Sequence, residues 1–221
     1  MSVVSSAAVP TMPWAAVVGL LCAVLCPAAE LLIARFLPRL GTATSAGASI
    51  TTSAITGILC TVMTVRVGFE AALPAFLALC VLAVQLARID LAMHLLPNPL
   101  VVALLGAGTV LLSLDSALSQ DWSSMARASA SAAALFFVYL VLAVISPSGI
   151  GMGDVKLAAP LGMYLGYMGW SQVFYGGALG FVLGGLVSAG LVAAKVVKKN
   201  AEIAFGPSML AAALGTILTS W

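Results

Sequence analysis

The chain has 221 residues, of which 62% are hydrophobic and only 7% charged, with a formal net charge of +2. A soluble domain carries about 25% charged residues, so a soluble globular fold is excluded and a polytopic membrane protein is expected. The same scarcity of charge leaves no basic surface able to neutralise phosphates, and nucleic acid is set aside as a partner.

In chain order, residues 1–13 lack the basic stretch that opens a cleavable signal, so the first apolar segment, 14–36, reads as a retained membrane helix. It contains Pro27 and also Glu30, which reads as a snorkelling or paired interfacial charge near Arg35. Residues 37–49, with Pro38, Arg39, Gly41 and a Ser/Thr/Gly cluster, read as a loop. Segments 50–65 and 71–87 form a helical hairpin joined at 66–70. Both are shorter than the ~20 residues a spanning helix needs and call for a thin bilayer or shelter inside the bundle.

The third segment ends near Arg88-Ile89-Asp90, after which His94 and Pro97-Asn98-Pro99 turn the chain back. Segments 99–114, 128–145, 155–170, 173–194 and 208–221 bring the total to eight, with 115–127 as a polar interfacial loop. Gly162 and Gly166, four apart, invite close approach of a neighbouring helix. Cys22, Cys26, Cys60 and Cys80 fall in apolar runs without a C-x-x-C pair and read as packing residues, not metal ligands. The expected fold is all-α: a single membrane-embedded bundle of about eight transmembrane helices.

Charge orients this bundle. If 37–49 is cytoplasmic, alternation places Arg35, Arg39, Arg88, Lys156, Lys195, Lys198 and Lys199 on that side, seven of the nine basic residues. Only Arg66 and Arg127 lie opposite, in keeping with the positive-inside rule. Two spans separate Asp90 from Asp154, so both carboxylates return to the cytoplasmic membrane face.

Asp154 sits in Ser148-Gly149-Ile150-Gly151-Met152-Gly153-Asp154-Val155-Lys156-Leu157, a glycine-rich turn that opens an apolar helix. Glycines permit tight turns and close approach of another chain, and an aspartate here can cap the helix it precedes. A second carboxylate on the same face adds another possibility. Two aspartates held close cannot both ionise, and such a pair can deprotonate water while protonating a peptide carbonyl or leaving amine. His94, one turn beyond Asp90, reads as an interfacial side chain.

Asp90 followed by Leu96-Pro97-Asn98, then Gly151-x-Gly153-Asp154-x-Lys156-Leu157, then Phe205-Gly206-Pro207, resembles the type IV prepilin peptidases, a family of G-x-G-D intramembrane aspartyl proteases. The resemblance covers most of residues 50–221. It implies a bacterial cytoplasmic-membrane endopeptidase that removes the short basic leader of prepilins or pseudopilins at the cytoplasmic face, just before their hydrophobic helix. By the same carry-over, Asp90 and Asp154 are the catalytic pair, and Gly151, Gly153, Lys156, Pro97, Gly206 and Pro207 bind substrate or shape the site.

Larger members of that family hold a cytoplasmic zinc domain with paired C-x-x-C motifs between their first two membrane helices and are associated with N-methylation of the new amino terminus. Only residues 37–49 stand in that place here, so no metal or other cofactor is expected and methyl transfer is not carried over. The compact form is similar to minimal peptidases serving simpler pilus systems. The expected partners are the prepilin leader with its apolar helix and membrane lipids; the sequence specifies no oligomeric state. Two other readings stand beside the protease: a proton- or cation-coupled transporter built on the Asp90/Asp154 pair, and a catalytically inactive pilus-assembly factor.

Overall fold

A computed structural model describes residues 11–36, 46–145, 150–193 and 204–220. Among the described residues the protein is all-helical, with α1 Thr11–Phe36, α2 Ala46–Val67, α3 Leu73–Met93, α4 Asn98–Ser119, α5 Trp122–Ile145, α6 Met152–Met168, α7 Trp170–Ala193 and α8 Gly206–Ser220. Six of these eight, all except α6 and α8, are long and apolar enough to cross a membrane. Arg39, Lys195, Lys198, Lys199 and the first residues of the glycine turn, Ser148 and Gly149, lie outside the described residues.

Several helices run past the limits that hydropathy sets for them. The third segment continues from 87 to Met93, which places Asp90 inside the last turn of α3 instead of after it. Much of the loop 115–127 is helical, with α4 reaching Ser119 and α5 beginning at Trp122. Arg88, Asp90, Asp115 and Arg127 lower the local hydropathy but leave the backbone N–H and C=O ladder intact, so the helices end where capping geometry ends them. Gln120, with φ 58°, terminates α4. Asp121 then starts α5 by accepting the Ser124 N–H at 3.3 Å.

The chain divides into two compact units, residues 1–84 and 85–221. In the first, α1 and α2 pack so closely that a Cβ on Gly57 would lie 2.9 Å from Ala23 Cβ, and Cys26 Sγ meets Thr56 Oγ1 at 3.7 Å. Glu30 is buried within this unit while Arg35 is exposed. Leu20, Val24, Leu31 and other large apolar side chains of α1 are exposed, as a lipid-facing helix requires.

The second unit is built around α6, which packs against α4, α5, α7 and α8. At 17 residues α6 is about 25 Å long, short for a spanning helix, but protein surrounds it and its length need not match the bilayer. The pair Gly162 and Gly166 does admit a close neighbour: hypothetical Cβ atoms there would come within 2.5 Å of the Ser131 carbonyl oxygen and 2.3 Å of Ser131 Cβ on α5. Arg127 completes the α5–α6 contact by donating to the Gly166 and Tyr167 carbonyls at 2.8 and 2.7 Å, satisfying acceptors at the end of α6.

Candidate active site

Asp90 arrives from the last turn of α3 and Asp154 from the first turn of α6, and both line one cavity of about 400 Å³. That volume falls within the ~300–1,000 Å³ of ordinary ligand pockets. The cavity sits where α3 ends and α4 and α6 begin, with Leu96 and Pro97 of the α3–α4 connection forming part of its wall. Both aspartates are buried, at 4% and 7% exposure, a placement that has to be supported by polar partners.

Each carboxylate has one such partner of the same kind. The Gly206 N–H, at the start of α8, donates to Asp90 Oδ2 at 3.1 Å, and the Gly151 N–H donates to Asp154 Oδ2 at 3.2 Å. No described residue donates to Oδ1 of either aspartate. One oxygen of each carboxylate is thus anchored, and the other is left to meet water or substrate. Both donors stand at helix starts, where unsatisfied amides carry partial positive charge that favours a nearby anion.

Asp154 is not the N-cap of α6. Gly151 holds that position with φ −73° and ψ 149°, and Asp154 is the third helical residue, reaching back to the cap's own N–H while its backbone N–H bonds the Gly151 carbonyl at 3.0 Å. This is the return half of a capping box, the other half being impossible for glycine. The arrangement fixes the carboxylate at the mouth of the helix. His94 ends α3 in a left-handed conformation, φ 50°, its N–H on the Asp90 carbonyl at 2.8 Å. His94 lines the cavity too.

Of the residues singled out from sequence, Asp90, Asp154, Gly151, Gly153 and Pro97 line the cavity. Gly206 acts from behind Asp90. Pro207, in the first turn of α8, and Lys156 do not line it. Lys156 is exposed and its Nζ bonds Asn98 Oδ1 at 3.0 Å, tying the first turn of α6 to the first residue of α4. Sequence reasoning missed Asn98 and Leu96 as site residues, although both stand in the Leu96-Pro97-Asn98 run. It also missed an aromatic group behind the site: Tyr139 of α5 stacks on Phe181 of α7 at 4.8 Å, and Phe205 lies 5.7 Å from Phe181. Spacing along the chain could not have brought those three rings together. Among the described residues, no three His, Cys, Asp or Glu side chains converge in a way that could hold a metal ion.

The type IV leader peptidase family model matches residues 75–193, a stretch that includes Asp90, Asp154 and the cavity wall between them but stops short of Gly206. No curated protein and no solved structure matches the chain. With more than half of its residues matched and a multi-helix membrane fold, this chain belongs to the type IV leader peptidase family of proteases.

Proposed function

We propose that the protein is an aspartic endopeptidase that removes the basic leader from type IV prepilin-like or pseudopilin substrates at the cytoplasmic face of a bacterial membrane. The observation that carries this reading is the convergence of Asp90 and Asp154 on one cavity, each anchored through Oδ2 by a glycine N–H. In such a pair one ionised carboxylate takes a proton from water, the resulting nucleophile attacks the scissile carbonyl, and the protonated partner stabilises the developing oxyanion. Collapse of the tetrahedral intermediate expels the amine, which receives a proton from the pair.

The exposed glycine backbone at Gly151 leaves space for an extended peptide at the cavity edge. The distribution of basic residues along the sequence supports the cytoplasmic side for this end of the bundle. The test is leader removal from a co-expressed prepilin. Asp90→Asn and Asp154→Asn are each expected to abolish cleavage while the variants insert in the membrane at the level of the parent. Full cleavage by either variant would exclude the pair as the catalytic group, and aspartate-dependent ion flux in proteoliposomes without cleavage would favour a transporter.

A further inference from the structure

Leu96 connects the two turns that hold the aspartates. It lies between α3 and α4, is 8% exposed and forms part of the cavity wall. Pro97 follows it, and the residue before a proline is confined largely to extended conformations, so the direction of this side chain is set locally. Two glycines receive it. A Cβ on Gly153 would lie 3.1 Å from Leu96 Cβ and 3.3 Å from its Cδ1, and a Cβ on Gly206 would lie 3.3 Å from the same Cδ1. One methyl group therefore fills the space beside two glycines far apart in sequence. Gly153 directly precedes Asp154, and Gly206 supplies the N–H that holds Asp90. α6 and α8 also pack on each other, but among the described residues no hydrogen bond joins the glycine turn to the start of α8.

We propose that Leu96 is a positioning residue: its side chain is the spacer that sets the separation of Asp90 and Asp154. The proposal rests on the aspartic reading given above. A spacer has to be apolar and of fixed length here. A shorter side chain leaves a void that the turns or water can enter, and a longer one pushes the glycine backbones apart. Misplacement of reacting groups by about 1 Å can cost ~10²-fold in rate, so the consequence falls on turnover more than on substrate capture.

The experiment measures kcat and KM for cleavage of a synthetic prepilin segment, a basic leader joined to an apolar helix, by purified detergent-solubilised enzyme. Leu96→Ala is expected to lower kcat by ~10²-fold with KM changed no more than about twofold. Leu96→Met, nearly equal in volume, is expected to recover most of the lost kcat. If Leu96→Ala does not yield folded protein, Leu96→Val carries the test, with kcat between those of the parent and the expected alanine value. Unchanged kcat in the shortened variant, a loss confined to KM, or a methionine variant as slow as the shortened one would each overturn the proposal. Asp90→Asn, run in parallel, separates the two claims. Cleavage by that variant at the parental rate sinks the aspartic reading itself, whereas an inactive Asp90→Asn beside a fully active Leu96→Ala sinks only the spacer.

Discussion

The Gly206 N–H reaches Asp90 Oδ2 at 3.1 Å across a separation of 116 residues, joining the end of α3 to the start of α8. A Cβ at Gly206 would sit 2.7 Å from that oxygen, closer than a carbon and a carboxylate oxygen can approach. Gly206→Ala must displace the Asp90 carboxylate or the turn, and it is expected to reduce leader cleavage by ~10²-fold. Gly215→Ala, in the same helix with nothing within 4 Å of its hypothetical Cβ, is the matched control. It should cleave at the parental rate, which comparison of initial rates at equal enzyme concentration will show.

Lys156 carries the positive charge nearest in sequence to Asp154, yet its Nζ is on Asn98 Oδ1 at 3.0 Å. Removing it should loosen the α4–α6 tie without removing a catalytic group. Lys156→Met is expected to retain cleavage, with a loss of about fivefold or less, corresponding to about 1 kcal/mol for one exposed hydrogen bond. Asn98→Ala should give a similar loss, and the double variant should be no worse than either alone because both remove the same bond. Additive losses in that rate cycle would show that the two side chains act separately.

Gly162 and Gly166 meet the same α5 residue in different ways. Alanine at 166 would place its Cβ 2.3 Å from Ser131 Cβ, whereas alanine at 162 would place one 2.5 Å from the Ser131 backbone oxygen. Each substitution is expected to destabilise the bundle by about 1–3 kcal/mol through overpacking. Ser131→Gly should restore much of the loss in Gly166→Ala, because it removes the obstructing atom, and should do little for Gly162→Ala, where the obstacle is main chain. Thermal unfolding in detergent, followed for the single and paired variants, distinguishes the two cases.

At the start of α5, Asp121 accepts hydrogen bonds from the Ser123 and Ser124 hydroxyls and from the Ser124 N–H. The Ser123 hydroxyl, followed by the Ser124 hydroxyl and N–H, holds its carboxyl down at about 2. Its value in the unfolded chain is about 3.9, so the folded value is depressed. The stabilisation is present above about pH 4 and is lost as pH falls through about 2. Asp121→Ala is therefore expected to melt below the parent at neutral pH, and the difference should shrink progressively from about pH 4 toward pH 2. A difference in melting temperature that does not change across that window would contradict the cap.

Bilayer membership, an all-helical fold and the candidate carboxylates were all legible in the sequence, because each depends on local composition or on short motifs. Long apolar runs identify the helices whatever they pack against, and the Gly151-Met152-Gly153-Asp154 turn announces a carboxylate at the opening of α6. Alternation of spans predicts that Asp90 and Asp154 return to one face, and the two residues line one cavity. Helix ends were less legible, since hydropathy registers side chains and a helix ends where its backbone hydrogen bonds do. That is why Asp90 lies within α3 and Asp154 within α6. Only the tertiary structure decided what holds those two residues. Gly206 behind Asp90, Leu96 against both glycine turns and Lys156 on Asn98 are contacts between distant stretches of chain, made by side chains and amides whose sequence surroundings carry no record of their partners.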